Sequence, residues 1–92
     1  MRESTLERHL VQHIRTIGGL CLKFVSPGYA GVPDRVVLLP GGEVVWVELK
    51  TPEGVVSPVQ RRMHAKLRHL VQRVEIVRTD ADIRRVFPVE DV

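Results

Sequence analysis

Only one of the 92 residues is a cysteine, Cys21, which excludes an internal disulfide. The sequence also lacks a run of about 20 apolar residues that would span a membrane, and it lacks the pattern of a secretion signal. These absences predict a protein of the reducing cytoplasm with no membrane partner.

Two common ligand-binding patterns are missing as well. Gly28 and Gly31 are not followed by Gly-Lys-Ser/Thr, so the sequence does not indicate a phosphate-binding loop for ATP. His9 and His13 have the spacing of two zinc ligands on one helix, but neither HExxH nor a third ligand accompanies them. We therefore expect neither a nucleotide-binding protein nor a zinc enzyme.

The chain is short and slightly basic. With 92 residues and 43% apolar content, the sequence predicts one small domain that spans residues 1–92. A domain of this size buries only about 60 to 70% of its unfolded surface, so dimerisation would add stability. The net charge of +3 favours an anionic partner, although ordinary surface variation explains so small an excess equally well.

Hydrophobic spacing and turn residues predict an α/β protein with the element order αβββαβα. The first helix is predicted over residues 4–18, where Ser4 to Glu7 has the form of a capping box. A second capping box, Ser57 with Gln60, begins a helix whose predicted apolar stripe is Val59, Met63, Leu67, Leu70 and Val71. The other predicted segments are strands at residues 20–25, 33–39, 44–50 and 74–78, and a short helix from Thr79.

Charged residues lie beside two of the predicted strands. Asp34 begins the second strand, and the alternation of side chains along the third strand places Glu48 and Lys50 on one face. A short turn at Gly41 and Gly42 joins these strands into a hairpin, which brings the two acidic residues together.

Two carboxylates that close repel each other unless a cation lies between them, and Mg²⁺ suits such a pair. Taken separately, Asp34 is explained as a turn residue, and Glu48 with Lys50 as a surface ion pair. Their joint occurrence in otherwise apolar strands favours a metal-dependent phosphodiesterase centre.

Three segments carry a resemblance to a known family: Gly31-Val32-Pro33-Asp34, Glu48-Leu49-Lys50, and Ser57 with Gln60 at the start of a helix. The chain resembles, over nearly its whole length, the VRR-NUC family of the PD-(D/E)xK nuclease superfamily. The resemblance implies a restriction-endonuclease-like αβββαβ core with a mixed four-stranded sheet flanked by helices. It also implies a metal-dependent DNA endonuclease whose products carry a 5′ phosphate and a 3′ hydroxyl.

The small size resembles the stand-alone members of phages and bacteria, which act as homodimers on branched DNA such as four-way (Holliday) junctions. The expected location is therefore the cytoplasm of a bacterial cell or a phage-infected host. The alternative is a catalytically inactive DNA-binding or interaction module of a phage or mobile element, against which the intact Asp34, Glu48 and Lys50 argue.

The resemblance further implies roles for individual residues. The metal ligands, for one or two Mg²⁺ or Mn²⁺ ions, would be Asp34, Glu48, Glu7 and the backbone carbonyl of Leu49. Lys50 would orient the nucleophile, and Gln60 would assist it. From the residues alone, Glu7 and Gln60 are explained as parts of capping boxes, so both interpretations stay open.

Candidate DNA contacts are Tyr29 in the loop before Asp34, and the basic residues assigned to the second helix, Arg61, Arg62, Lys66, Arg68 and Arg73. Basic side chains give phosphate affinity that falls with salt, and a tyrosine ring stacks on a base. A solvated helix face explains the basic residues equally well, and simple packing explains Tyr29.

Overall fold

Seven elements follow one another in the computed structural model, which describes residues 1–89. They are α1 (Glu3–Thr16), β1 (Leu20–Lys23), β2 (Arg35–Leu38), β3 (Val44–Leu49), α2 (Pro58–His69), β4 (Arg73–Val77) and α3 (Asp80–Val86). The predicted order αβββαβα is confirmed. The predicted domain extends to residue 92, and its last three residues lie outside the described part of the chain.

The four strands form one mixed sheet in the order β1-β2-β3-β4. The first three strands are antiparallel neighbours, and β4 pairs parallel to β3 after the α2 crossover. This is the predicted mixed four-stranded sheet. Because side chains alternate along each strand, the register also decides which residues share a face.

The covered face of the sheet carries the hydrophobic core. Val37, Val45 and Val47 are fully buried there, against the apolar stripes of α1 and α3. The two helices and the residue that follows α3 contribute Leu6, Leu10, Ile14, Ile83, Val86 and Phe87 to this core. Each such side chain contributes about 1.5–3 kcal/mol through burial, which fixes both helices on one side of the sheet. No helix within residues 1–89 is long and apolar enough to cross a membrane.

The start of α1 differs from the prediction. Its N-cap is Arg2, which makes no side-chain capping bond, and Ser4 lies inside the first turn. The predicted capping box of Ser4 and Glu7 is therefore wrong, because the Glu7 carboxylate instead accepts a hydrogen bond from Arg35. This contact ties α1 to the covered face of the sheet.

The capping box of α2 is confirmed, but the apolar stripe predicted for this helix is wrong. Ser57 Oγ accepts a hydrogen bond from the backbone N–H of Gln60 at 3.2 Å, and Gln60 Oε1 accepts one from the backbone N–H of Ser57 at 2.9 Å. Leu70 and Val71 are 62% and 91% exposed, since the helix ends at His69. The side chain that α2 buries is His64.

The second face of the sheet is only partly covered, since α2 packs mainly on the β4 side. Four aliphatic side chains on β1, β2 and β3 remain between 37% and 53% exposed there, and we call them the open face: Leu20, Leu22, Leu38 and Val44. The register places these side chains in adjacent rows of one sheet face. At the other end of the same face lie Asp34 and Glu48.

Candidate active site

Asp34 and Glu48 meet where β2 begins and β3 ends. Arg35 pairs with Val47, so the preceding and following residues, Asp34 and Glu48, face each other across the two strands. The backbone amide of Leu49 donates to Asp34 Oδ1 at 3.3 Å, which orients the aspartate. The predicted convergence of the two carboxylates is present in the structure.

The loop before Asp34 is shaped by Gly31 and Pro33. Gly31 has φ +84°, and a Cβ atom at this position would lie 2.5 Å from the backbone oxygen of Val59. Only glycine tolerates both the left-handed backbone and this close approach. The Gly31-Val32-Pro33-Asp34 segment is thereby held against the first turn of α2, with Pro33 buried.

Glu48 is an ionisable group in an apolar position, only 4% exposed. Burial, a hydrogen bond shared with Asp34 and the negative charge of Asp34 raise the pKa of Glu48 to about 8, against its ordinary value of 4.5. The positive charge of Lys50 opposes this shift, and the negative charge of Glu3 adds to it. The carboxyl group therefore needs either a proton or a cation, because two adjacent carboxylates destabilise each other.

This raised pKa predicts how the metal-free protein responds to pH. A folded state that holds a proton which the unfolded chain has released loses stability as pH rises, here between 4.5 and about 8. His64, whose pKa is lowered by burial, acts in the opposite direction but only below its ordinary 6.5. Between pH 6.5 and 8, thermal unfolding in EDTA should therefore show a loss on the order of 2 kcal/mol.

Glu48→Gln should remove this dependence, because the amide does not titrate, whereas Glu53→Gln in the exposed loop after Lys50 should retain it. An unchanged decline in the Glu48→Gln protein would contradict the assignment of the proton to this carboxyl group.

The donor set fits a hard cation. Among residues 1–89, no three His, Cys, Asp or Glu side chains come together as a ready metal cage. Mg²⁺ does not require one, since it keeps several waters and is held by one or two carboxylates together with substrate phosphate. The pair formed by the buried Glu48 and the partly exposed Asp34 matches this requirement.

Two of the other predicted residues follow Glu48 directly in the chain, and the third, Gln60, lies behind the loop that leads to Asp34. Lys50 follows the end of β3, and its amide donates to the Val77 carbonyl at 3.1 Å. The Leu49 side chain is buried, and its backbone connects Glu48 to Lys50. Gln60 lies in the first turn of α2 behind Gly31, and its Oε1 atom is occupied by the capping bond to Ser57.

Glu7 is not brought to this pair. Its carboxylate lies 2.5 Å from Arg35 Nη2, and Arg35 points to the covered face, opposite to Asp34. Burial is the main cause of the raised pKa of Cys21 on that same face, and the charge of Glu7 adds to it. The predicted third acidic contributor thus lies on the other side of the sheet.

Sequence reasoning missed two residues near the pair. The charge of Glu3, one helical turn before Glu7, reaches Glu48, as its effect on the glutamate pKa indicates. His64 Nε2 lies 3.4 Å from Glu48 Oε1. The spacing of four residues between Gln60 and His64, which puts both on one helix face, could have identified the histidine.

Some of the candidate DNA contacts have exposed side chains, and others form hydrogen bonds within the protein. Tyr29 is exposed, and the exposed Arg62 and Lys66 line a groove of about 620 Å³ between α2 and Ala30. Arg61 is exposed too, although its Nη1 atom donates to the Val56 carbonyl at 3.1 Å.

Two other basic residues contribute to the fold. Arg68 donates to the Val74 carbonyl at 3.0 Å. Arg73 lies in β4 instead of the second helix, and it pairs with Glu43 and Glu75. The prediction that Arg73 belongs to a basic helix surface is therefore wrong.

This chain is similar to known proteins, although no family model matches it. The protein named "Putative nuclease p44" of Acyrthosiphon pisum secondary endosymbiont phage 1 is 47% identical over 88 residues, which cover 96% of this chain and 94% of that protein. A solved structure described as a VRR_NUC domain superposes with a TM-score of 0.86 at 27% sequence identity, over 91% of each chain. The similarity extends over the strands and helices that position Asp34 and Glu48.

Proposed function

Since this chain belongs to the VRR-NUC family of the PD-(D/E)xK nuclease superfamily, we propose that it is a DNA endonuclease that depends on Mg²⁺ or Mn²⁺. The single domain would span residues 1–92 and act in the cytoplasm of a bacterial cell or a phage-infected host. The phage origin of the 47% identical relative supports that location.

The observation that carries the proposal is the pairing of a buried carboxyl group, Glu48, with Asp34 at the end of the hairpin. Glu48, at 4% exposure, lies beside Asp34, and the positive charge of Lys50, which follows β3, acts on it. Two acids with only a structural role would destabilise the folded protein in this position, because burial and like charge both disfavour ionisation. A bound cation would offset the repulsion between the two carboxylates.

The proposed chemistry is hydrolysis of a phosphodiester bond. Asp34, Glu48 and the Leu49 carbonyl would hold the cation. When bound, the cation supplies an activated water at neutral pH and neutralises charge on the phosphate. Lys50 donates to the attacking water or to the phosphate oxygens, which stabilises the charge that develops in the transition state. Gln60 has its amide nitrogen left to assist, since its oxygen caps α2.

A panel of labelled DNAs tests the proposal against its alternatives. The purified protein is incubated with four-way junction, flap and linear duplex DNA, in Mn²⁺ or in EDTA. Cleavage only with Mn²⁺ is the expected result. A mobility shift without cleavage would favour the DNA-binding module, and neither cleavage nor a shift would favour an interaction domain.

The proposed DNA surface is the start of α2 with the loop that precedes Asp34. Arg62 and Lys66 form one side of the groove beside Ala30, and the exposed Tyr29 neighbours it. Arg61 extends this surface toward the loop before α2. Contacts of this kind bind the phosphate backbone without reading sequence, which suits an enzyme that recognises the shape of branched DNA.

The proposed working unit is a homodimer. The open face and the exposed end of α2 leave Leu20, Leu22, Leu38, Val44, Leu70 and Val71 in water. A second copy would cover such apolar side chains, and two-fold symmetry matches that of a four-way junction. Two active sites would then be available for the two strands that must be cut.

A dimer with one inactive subunit tests whether the working unit is a homodimer. One wild-type subunit paired with one Asp34→Asn subunit should nick a four-way junction once and fail to resolve it, because each site cuts one strand. Differently tagged wild-type subunits, purified as the same kind of mixed dimer, serve as the control and should cut both strands. Full resolution by the mixed dimer, or a monomeric mass in solution and on DNA, would contradict the homodimer.

A further inference from the structure

Glu48 and His64 are the two buried residues with polar or charged side chains in the part of the chain that the structure describes. They touch each other, since His64 Nε2 lies 3.4 Å from Glu48 Oε1. Burial of a polar side chain costs free energy unless a partner replaces the lost water. In this protein His64 has Glu48 as its partner, and Glu48 also shares a hydrogen bond with Asp34.

The position of His64 on α2 connects this contact to the active site. His64 lies one helical turn after Gln60 and is 1% exposed, whereas the other side chains of the helix are partly or fully accessible. The charges of Lys50 and Asp34 both influence the imidazole, so the histidine lies within reach of the whole charged group. An aliphatic residue would fill the same place on the sheet without the cost of burying an imidazole.

The protonation state of His64 defines what it offers to Glu48. When a cation is bound at Asp34 and Glu48, the glutamate is ionised, so His64 must present a hydrogen on the ring nitrogen that faces Oε1. A neutral imidazole has a single N–H, and an ionised carboxylate only accepts hydrogen bonds. The hydrogen is therefore assigned to Nε2, from which it points at Glu48 Oε1.

We propose that His64 is a positioning residue, which holds the Glu48 carboxylate in the orientation for cation binding through the hydrogen bond from Nε2. The inference rests on the proposed function of Asp34 and Glu48 as the cation site. Loss of a group that hydrogen-bonds to a metal ligand without touching the metal typically weakens metal affinity by about 10- to 100-fold. With Oε1 held by the imidazole, the carboxylate does not have to be ordered when the cation arrives.

The test compares three replacements at the same position. His64→Leu keeps an apolar side chain against the sheet but removes the donor, and His64→Asn keeps a donor that is too short to reach Glu48. His64→Gln places an amide nitrogen near the location of Nε2. Mn²⁺ affinity is measured by calorimetry on DNA-free protein, and the cleavage rate is measured as a function of Mn²⁺ concentration. Thermal unfolding in EDTA establishes that each variant is folded.

We expect His64→Leu and His64→Asn to bind Mn²⁺ about 10- to 100-fold more weakly and to need correspondingly more Mn²⁺ for half-maximal cleavage. The KM for DNA should stay unchanged, and His64→Gln should restore most of the affinity. The matched control is His69→Leu, an exposed histidine of the same helix, which should bind Mn²⁺ as the wild type does.

Wild-type affinity in a folded His64→Leu or His64→Asn variant would overturn the positioning role and leave the nuclease assignment intact. If His64→Leu does not fold, His64→Asn against His64→Gln gives the same comparison. Absence of Mn²⁺ binding in the wild-type protein would instead overturn the proposed cation site, and the role of His64 with it.

Discussion

Asp34→Asn and Glu48→Gln should each reduce DNA cleavage by roughly 1,000-fold or more, since metal-ion catalysis is worth several kcal/mol and each 1.36 kcal/mol is tenfold in rate. The amide variants are chosen because they preserve shape: an asparagine oxygen can still accept from the Leu49 amide, as Asp34 Oδ1 does. DNA binding should survive or strengthen, because a negative charge is removed from the surface that faces phosphate. Cleavage rates and mobility shifts, measured on the same preparations, separate the two effects.

The control for charge removal is Glu53→Gln, which changes an exposed acid in the loop after Lys50 and should cleave at the wild-type rate. Ca²⁺ should support DNA binding by the wild-type protein without turnover, because its looser coordination positions water poorly. Cleavage by either amide variant within a few fold of the wild type would refute the assignment of Asp34 and Glu48.

Lys50→Met should lower the cleavage rate by orders of magnitude while leaving Mn²⁺ affinity little changed. The expected reason is that an ammonium group which acts on the water or the phosphate stabilises the transition state without being a ligand. Methionine keeps much of the length of the lysine stem, so the backbone bond from Lys50 to Val77 should be preserved. Single-turnover rates at saturating Mn²⁺ and DNA give the measurement.

Two further variants serve as a control and a comparison for Lys50→Met. Lys23→Met removes an exposed lysine of β1 and should leave the rate unchanged. Gln60→Ala removes a capping bond and should lower stability by about 1 kcal/mol; an additional loss of rate per folded molecule would assign Gln60 a role beyond the cap. A Lys50→Met protein with the wild-type rate would remove the lysine from the mechanism.

The sequence was sufficient for the parts of the fold that depend on local pattern. The period of two along Val44 to Leu49 separated the apolar core side of β3 from the side that carries Glu48, and the structure has this arrangement. The glycine turn at Gly41 and Gly42, both with positive φ, joined the hairpin that brings Asp34 to Glu48. Ser57 with Gln60 marked the start of α2 correctly.

The features that the sequence did not reveal depend on tertiary packing. The apolar residues of α2 suggested a buried stripe, but the helix lies over one side of the sheet, and His64 occupies the buried position. The capping pattern at Ser4 was misleading because Arg35, distant in sequence, binds the Glu7 carboxylate. Glu3 had no local pattern that distinguished it from any acidic residue in the first turn of a helix.

The most direct test of the central claim is calorimetric titration of Mn²⁺ into the metal-free protein, with no DNA present. If Asp34 and Glu48 form the cation site, the wild-type protein should bind one or two Mn²⁺ per chain, and both Asp34→Asn and Glu48→Gln should lose that binding while remaining folded. Equal binding by the wild type and both variants, or no binding by the wild type at pH 8 in repeated titrations, would contradict it.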